Sequence, residues 1–203
     1  MRLYIIRHGE TQWNKVKRLQ GQTDIPLAEE GIRLARETGQ GMKELPIDLV
    51  ISSPLTRAVQ TAQLLTEGRD IPILTDERII EISFGQWEGE CILESEILPA
   101  DFRKLFYEDP LHCIRPPGGE TFDEVRRRTG EFYRSLLANP EYADKSILIS
   151  THGAASRCLL TQFYEDKDDI WRGGVPKNCA VTIVEVSDGT AVVLEKDRLF
   201  YEG

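Results

Sequence analysis

The sequence is short of positive charge: 25 lysines and arginines stand against 34 aspartates and glutamates, and the formal net charge is −9. A surface that binds nucleic acid or an anionic membrane needs an extended positive footprint, because it must neutralise many phosphates. We therefore expect no nucleic acid and no membrane among the partners. Any phosphate group that is bound must be held by a few local cations.

Long apolar runs, paired cysteines and a leader segment are missing as well. No stretch approaches the roughly 20 apolar residues of a membrane-spanning helix, and the first residues do not resemble a secretory leader. No CxxC spacing occurs among the cysteines, which are Cys91, Cys113, Cys158 and Cys179. These features predict a cytoplasmic protein with free thiols.

The chain length of 203 residues supports one substantial hydrophobic core but is short for two. We expect a single domain over residues 1–203, and the sequence leaves a homodimer open as its assembly. Residues 85–118 differ from the rest, because they are interrupted by glycines and prolines and contain only a weak amphipathic piece, 102–107. They predict a cap-like insertion within that domain.

Continuous aliphatic runs occur at residues 2–6, 48–52 and 146–150. Runs of this kind are typical of strands buried on both faces of a sheet. Stretches of helical period separate them, so the pattern predicts an α/β fold, with a mostly parallel central sheet between helical layers. A turn containing Asp-Gly joins 181–186 to 191–194, which predicts a hairpin towards one edge of the sheet.

Two amphipathic stripes predict helices that face the core. One comprises Gly31, Leu34, Ala35, Thr38 and Met42, and the other comprises Phe122, Val125, Thr129, Phe132 and Leu136. Thr121 with Glu124 three residues later forms the pattern of a capping box at the start of the second helix. We expect that helix to end before Asn139-Pro140.

Polar residues follow the three buried strands where each one ends. The first strand leads into Arg7-His8-Gly9, the second into Ser52-Ser53-Pro54 with Arg57 shortly afterwards, and the third into Thr151-His152-Gly153. Ligands of open α/β sheets bind beyond the carboxyl ends of the strands. We therefore expect His8 and His152 to face one pocket with two guanidiniums, and the glycine after each histidine to allow close approach of a ligand.

Two converging arginines favour a tetrahedral dianion, because their planar donors match phosphate oxygens and remain charged. A neutral imidazole beside them can attack phosphorus, while the cations stabilise charge on the equatorial oxygens. His8 would then carry the phosphoryl group. Glu81, which follows a short apolar strand and precedes Gly85, is the candidate proton donor to the leaving alkoxide.

Other interpretations of these residues stay open at this point. Either histidine could be structural, Arg7 and Arg57 could be solvated, and aromatic residues such as Trp171 could pack in the core instead of lining a specificity pocket. Zinc binding by the histidines is disfavoured, because no ligand spacing supports it and arginines would repel the cation. Alternative proton donors near Glu81 are Glu77, Glu88 and Glu90.

Several segments together resemble the histidine phosphatase superfamily, also called phosphoglycerate mutase-like. They occur in the family's order over nearly the whole chain: RHGET (7–11), QGQTDIPLAEEG (20–31), SSPLTRAVQTA (52–62), EISFGQWEG (81–89), PPGGETF (116–122) and STHGAASR (150–157), with Asn178 late in the chain. The resemblance implies a three-layer α/β sandwich of the phosphoglycerate mutase-like type. It implies no metal and no organic cofactor.

The resemblance also implies roles for individual residues. His8 matches the phosphorylated nucleophile, and Glu81 matches the general acid and base. The remaining matches are positions that bind the phosphoryl group, border it or support the pocket. Arg7, Arg57, His152 and Gly153 belong to the phosphate pocket, Asn14 often touches the phosphoryl group, Gly21 and Gln22 lie in a bordering loop, and Glu120 of the GGE motif orients the site from beneath.

The form EISFGQWEG favours the phosphatase branch and resembles broad-specificity and α-ribazole-phosphate phosphatases. Phosphoglycerate mutases typically have a longer and more basic segment before the GGE motif, whereas residues 88–117 here are rich in carboxylates. The sequence therefore predicts a phosphomonoesterase acting on a small phosphorylated metabolite. A cofactor-dependent mutase is the alternative, and a non-catalytic phospho-ligand module is disfavoured because His8, Arg57, Glu81 and His152 are all present.

Overall fold

A six-stranded sheet in the order β3-β2-β4-β1-β5-β6 forms the centre of the computed structural model, which describes residues 1–201. The strands are β1 Arg2–Arg7, β2 Leu49–Ser52, β3 Ile73–Thr75, β4 Ser146–Thr151, β5 Val181–Ser187 and β6 Thr190–Arg198. The first four neighbours, from β3 to β1, run parallel; β5 pairs antiparallel with β1, and β6 pairs antiparallel with β5. The expectation of a mostly parallel α/β sheet is confirmed, and the hairpin β5–β6 lies at one edge as predicted.

The parallel register brings the chemistry-bearing segments to one edge of the sheet. Arg7, the last residue of β1, pairs with Thr151, the last residue of β4, while Ser52 at the end of β2 pairs with Ser150. The residues that follow these strands therefore leave the sheet at the same level. This is the arrangement that the strand-end pattern predicts.

Helices cover the sheet and begin close to the predicted positions. They are α1 Gln12–Lys15, α2 Glu29–Gly41, α3 Thr56–Leu65, α4 Phe102–Glu108, α5 Phe122–Ala138 and α6 Gly153–Leu160. The predicted stripes lie on α2 and α5, except that Met42 is the residue directly after the end of α2, and the capping box at Thr121 is present. No helix in the described part of the chain is long and apolar enough to cross a membrane.

Two hydrophobic clusters lie on opposite faces of the sheet. In β1, Leu3 and Ile5 belong to the cluster that contains α5 residues, whereas Tyr4 and Ile6 belong to the cluster that contains α2 residues. Because successive strand side chains point to opposite faces, a strand covered on both sides must be apolar throughout. Truncation of one such residue to alanine typically costs about 2–5 kcal/mol, so this layer holds the strand ends firmly.

The segment 85–118 contains no strand element and is held by aromatic packing. Its short helix α4 contributes Phe102 and Phe106 to a third cluster, which also contains Trp87, Phe122 and Trp171. The short apolar strand expected before Glu81 is displaced: β3 ends at Thr75, and a 3-10 turn at Glu77–Ile79 follows it. The backbone around Glu81 is consequently a loop.

Candidate active site

His8 is the first residue after β1 and is only 3% exposed. Its backbone N–H donates to the Thr151 carbonyl at 2.9 Å, which ties it to the end of β4. The ring Nδ1 lies 2.7 Å from the carbonyl oxygen of Gly9. Because a carbonyl can only accept, Nδ1 carries the proton, and the lone pair is on Nε2.

The His8 imidazole is held in its neutral form. Burial lowers its pKa well below the ordinary value, and the nearby positive charges of Arg57 and Arg7 lower it further. A neutral ring keeps its Nε2 lone pair available, which a nucleophile requires. The electrostatics that attract a phosphate thus also keep His8 unprotonated.

His152 lies edge-on to His8, with 5.2 Å between the ring centroids, and is completely buried. Its Nδ1 accepts a hydrogen bond from Arg57 Nε at 3.2 Å, and its Nε2 lies 2.7 Å from the hydroxyl oxygen of Ser53. Since Arg57 can only donate, Nε2 carries the proton and donates to Ser53. Burial, followed by the charge of Arg57, holds the pKa of His152 well below its usual range.

Arg57 occupies the second position of α3 and is completely buried. Its guanidinium donates to the carbonyls of Gly21 at 2.6 Å and Thr23 at 3.0 Å, in addition to His152. Burial lowers the pKa of Arg57 to about 10, so the group remains a cation at neutral pH. A Cβ at Gly21 would lie 2.7 Å from the Ile82 carbonyl oxygen, and only glycine fits this close approach.

The side chain of Arg7, at the end of β1, has one hydrogen bond within the described residues. Its Nη1 donates to the Pro176 carbonyl at 2.5 Å, while its buried Nε has no partner. Buried guanidinium nitrogens are costly to leave unpaired. Because Arg7 lines the cavity beside His8, the free donor is suited to an anionic ligand there.

Glu81 is 6% exposed and lies at the N-terminus of α6. Its Oε1 accepts from the amides of Ile82 at 3.0 Å and Ala155 at 2.9 Å, and its Oε2 accepts from Ala154 at 3.2 Å. The positive end of a helix favours a carboxylate in this place. These bonds fix the Glu81 carboxyl at the cavity, which His8 and Arg7 also line.

The alternative carboxylates have other partners or positions. Glu88 accepts hydrogen bonds from the amides of Gln22, Thr23 and Phe84, and Glu90 accepts one from Ser95. Glu77 lies in the 3-10 turn before the loop. The carboxylates that line the cavity are Glu81 and Glu10, of which Glu10 pairs with Lys15 at 3.5 Å.

Glu120 supports the Glu81 loop instead of lining the cavity. It accepts from Arg128 Nε at 2.9 Å and from the Ser83 amide at 3.0 Å. Arg128 also donates to the carbonyls of Ile80 at 2.6 Å and Glu81 at 3.0 Å. The Glu120–Arg128 pair therefore holds the irregular backbone that carries Glu81, and the Gln22 side chain joins this network at 3.3 Å from Glu120.

A cavity of about 440 Å³ opens beside His8. We define the floor as His8, which lines the cavity, together with Ser53, Arg57 and His152, which are buried behind it. The apolar wall of the cavity is defined as Ile92, Leu93, Phe106, Tyr107 and Trp171. Arg7, His8, Asn14, Glu81 and Gly153 line the cavity, whereas Arg57 and His152 lie beneath it and Gly21, Gln22 and Glu120 lie outside it.

The glycines after the two histidines serve different purposes. A Cβ at Gly9 would lie 2.6 Å from the carbonyl oxygen of Gly31, so Gly9 allows close packing on α2 instead of ligand approach. Gly153 lies at the cavity, where a Cβ would be 3.6 Å from Glu81 Oε2 and 3.7 Å from Arg7 Nε. Asn14, in α1, has its Oδ1 engaged by the Thr11 amide at 3.1 Å.

Sequence reasoning missed several residues that the structure brings to the site. Arg128, the Pro176 carbonyl and the cations Lys17 and Arg18, which line the cavity, were not singled out. Arg128 does carry a signal, because it lies on the buried side of α5 between Val125 and Phe132, where an unpaired arginine would be costly. Pro176 contributes only its backbone carbonyl, so its side chain gives no signal in the sequence.

The family model described as the histidine phosphatase superfamily (branch 1) matches residues 3–197, and the chain belongs to this superfamily. It is 37% identical over 158 residues to the "Uncharacterized phosphatase PhoE" of Bacillus subtilis (strain 168), covering 78% of this chain and 75% of that protein. It is 35% identical over 161 residues to the "Probable phosphoglycerate mutase GpmB" of Proteus mirabilis (strain HI4320), covering 79% and 74%.

Solved structures show the same fold. Bacillus stearothermophilus YhfR matches with a TM-score of 0.90 at 34% identity and covers 99% of each chain. The α-ribazole phosphatase from Shigella flexneri matches with a TM-score of 0.87 at 26% identity, covering 100% of this chain and 98% of that one. The expected family, fold and enzyme class, a histidine-type phosphatase among the hydrolases, are confirmed.

Proposed function

We propose that the protein hydrolyses small phosphomonoesters through a phosphohistidine on His8. The observation that carries this proposal is the neutral, buried His8, whose Nε2 is free while Arg7 and Arg57 supply positive charge around it. The Arg7 guanidinium would bind the phosphoryl oxygens, and the charge of Arg57 beneath the cavity would help to stabilise the negative charge that develops on them. Asn14 and Gly153, which line the same cavity, would border the phosphoryl group.

In the first step His8 Nε2 forms a bond to phosphorus and the bond to the ester oxygen breaks. Glu81 donates its proton to the departing alkoxide, and Oε2, which accepts a single amide hydrogen bond, is the oxygen suited to carry it. In the second step Glu81, now a carboxylate, takes a proton from water as that water attacks the phosphohistidine. Inorganic phosphate leaves and neutral His8 is restored.

His152 and Arg57 would act from the floor. Arg57 donates to His152 Nδ1, and His152 in turn donates to Ser53, so protonation of His152 would break the contact to Arg57. This chain of bonds keeps a neutral ring beside His8.

We also propose that residues 85–118 act as a cap that selects the organic part of the substrate, because Ile92, Leu93, Phe106 and Tyr107 line the wall.

A mutase is the second candidate, and one observation favours it. Lys17 and Arg18 line the cavity, are exposed, and form no ion pair within the part of the chain that the structure describes. Basic residues at the mouth could hold a second acidic group of a bisphosphate. The nearby Glu10 lowers the positive charge of this rim, and hydrolysis therefore remains the first proposal.

Hydrolysis in oxygen-18-labelled water distinguishes the two functions. We expect inorganic phosphate carrying one labelled oxygen from a simple alkyl or aryl phosphate, without any bisphosphate primer. The yield should be the same after addition of a bisphosphate. Turnover that requires the primer, with the phosphoryl group recovered on a second hydroxyl instead of as phosphate, would establish the mutase and contradict the phosphatase.

A further inference from the structure

The loop between α6 and β5 determines where the Arg7 guanidinium points. The Pro176 carbonyl in this loop is the acceptor for Arg7 Nη1, at 2.5 Å, and Arg7 Nε has no partner in the described chain. If Pro176 moves, Arg7 loses the contact that orients its donors. The position of this loop is therefore a condition for binding phosphate at His8.

The loop has little regular structure of its own. Between the 3-10 turn Thr161–Phe163 and β5 there is no helix or strand element among the described residues. Three consecutive residues have left-handed backbone angles: Arg172 with φ 41°, Gly173 with φ 101° and Gly174 with φ 102°. No sheet ladder maintains this path, so side chains from outside the loop contribute to its position, together with its own turn bond from the Gly174 N–H to the Trp171 carbonyl at 3.1 Å.

Arg157 of α6 provides such an anchor. Its Nε donates to the Gly174 carbonyl at 2.9 Å, two residues before Pro176. Its two terminal nitrogens donate to the two oxygens of Asp197 in β6, at 3.0 and 2.6 Å. The Arg157 side chain is 1% exposed, whereas that of Asp197 is 29% exposed. A bidentate pair fixes the plane of the guanidinium, and with it the donor that holds the loop.

We propose that Arg157 and Asp197 are a positioning pair for Arg7, acting through Gly174 and Pro176 to hold the phosphate-binding guanidinium in place. This inference rests on the proposed function. Neither residue lines the cavity, so they influence binding and phosphoryl transfer through the loop, and the Pro176 contact passes this influence on to Arg7. Small displacements matter here, because a misplacement of about 1 Å can reduce a rate by about 10²-fold.

Asp197→Asn is the variant that tests the pair with the least disturbance. Asp197 has φ 53°, a conformation that asparagine tolerates and most other residues do not. The substitution retains one acceptor oxygen and removes the charge and the second acceptor. We expect orthovanadate binding to weaken and kcat/KM for p-nitrophenyl phosphate to fall, each by about 3- to 30-fold.

Glu195→Gln is the matched control. Glu195 pairs with Arg198 at 2.8 Å on the same strand, but both side chains are nearly half exposed, and neither forms a hydrogen bond with the loop within the described residues. We expect changes below about twofold, because exposed pairs contribute little. A control that weakens vanadate binding as much as Asp197→Asn would overturn the inference.

The decisive arm repeats Asp197→Asn in an Arg7→Ala background. If Asp197 acts through Arg7, its substitution should alter kcat/KM and vanadate binding by less than about twofold once Arg7 is absent. An equal effect in both backgrounds would show a merely structural role, and no effect in the wild-type background would show no role; either result would overturn the inference. Should Asp197→Asn not fold, Arg157→Lys, which retains the cation but not the bidentate geometry, serves in the same comparison.

The vanadate measurement separates this inference from the proposed function. A wild-type protein that binds vanadate but releases no phosphate would refute the hydrolysis, while the coupling between Asp197 and Arg7 could still be read from binding. A hydrolytically active wild type without that coupling would refute the positioning pair alone.

Discussion

The floor of the cavity and its wall differ in how their side chains are held. In the floor, His152, Arg57 and Ser53 form a continuous chain of hydrogen bonds behind strands whose register is set by the sheet. In the wall, rings pack on one another: Phe106 and Trp171 lie 5.1 Å apart between centroids, and Phe106 and Tyr107 lie 5.0 Å apart. The Trp171 N–H is satisfied by the Phe106 carbonyl, so the wall offers the substrate mainly apolar surface.

This difference indicates that the floor carries the chemistry and that the wall selects the substrate. Polar networks in a buried floor tolerate little change, because removal of one partner leaves another unpaired. Apolar contacts in the wall are less directional and adapt to substitutions of similar volume. We therefore expect changes in the floor to alter the rate with every substrate, and changes in the wall to alter which substrate is used.

The largest effect is expected from His8→Ala. Removal of the nucleophile should reduce phosphate release from both alkyl and aryl phosphates by roughly three to six orders of magnitude. The fold should persist, because the side chain borders a cavity. His112→Ala is the matched control, since His112 is 80% exposed and lies outside the cavity. Residual activity of His8→Ala within about tenfold of the wild type would place the nucleophile elsewhere.

Glu81→Gln should have the next largest effect, and its size should depend on the leaving group. A basic alkoxide needs a proton, whereas p-nitrophenolate scarcely does. In single-turnover experiments the phosphorylation rate should fall by about 10²-fold or more with an alkyl phosphate and by less than about tenfold with the aryl phosphate.

Glu10→Gln is the control for the acid, because Glu10 is the other carboxylate that lines the cavity. We expect it to leave both phosphorylation rates within about threefold of the wild type. Equal losses for the two substrates in Glu81→Gln would indicate a positioning role for Glu81. A loss confined to alkyl phosphates in Glu10→Gln would assign the proton to Glu10.

A substitution in the wall should change substrate preference without changing phosphate binding. Leu93 lines the cavity and is 48% exposed, so Leu93→Ser removes apolar contact with little risk to the fold. We expect KM for a bulky aryl phosphate to rise by about 3- to 10-fold, while competitive inhibition by inorganic phosphate is retained. Leu194→Ser, at a 52% exposed position of edge strand β6, should change neither value. If Leu93→Ser weakened inhibition by phosphate as much as it raised KM, the wall would also contribute to phosphate binding, and the proposed separation between wall and floor would be wrong.

The smallest effect concerns stability and pH. Burial and neighbouring arginines hold the pKa of both His8 and His152 well below the ordinary value. Below about pH 6.5 both histidines become protonated in the unfolded chain but stay neutral in the folded protein. The free energy of unfolding should therefore fall with falling pH by up to about 1.4 kcal/mol per pH unit for each histidine.

Urea unfolding between about pH 7 and about pH 5 measures this dependence. A His8→Gln, His152→Gln double variant should lose less stability over that interval than the wild type, because it lacks the two groups that take up protons on unfolding. The contributions of the carboxylates are the same in both proteins and cancel in the comparison. Identical pH slopes in the two proteins would mean that the two histidines take up protons as readily in the folded state as in the unfolded chain.

The sequence predicts the floor better than the wall, for a physical reason. Aliphatic runs identify buried parallel strands, and parallel strands end at one edge, so Arg7, His8 and His152 could be brought together without coordinates. Two positions depart from the expectation: Gly21 serves the close approach beneath Arg57, and Gln22 turns towards Glu120. Loop geometry decides both, and periodicity carries no information about it.

The supports of the site were not foreseeable to the same extent. Glu81 lies in a loop whose path depends on three carbonyls bound by Arg128, from a helix more than forty residues later in the chain. Arg7 depends on a backbone carbonyl, at Pro176. Backbone acceptors have no signature in side-chain chemistry, so contacts of this kind become visible only in three dimensions.

Trapping of the phosphoenzyme tests the central claim most directly. The protein is mixed with an aryl phosphate labelled at phosphorus, quenched rapidly and digested, and the labelled peptide is identified. We predict an acid-labile, base-stable label on His8 that is absent from His8→Ala and that disappears with continued reaction as phosphate is released. Label on a serine, or turnover without any label in the first cycle, would contradict the phosphohistidine mechanism.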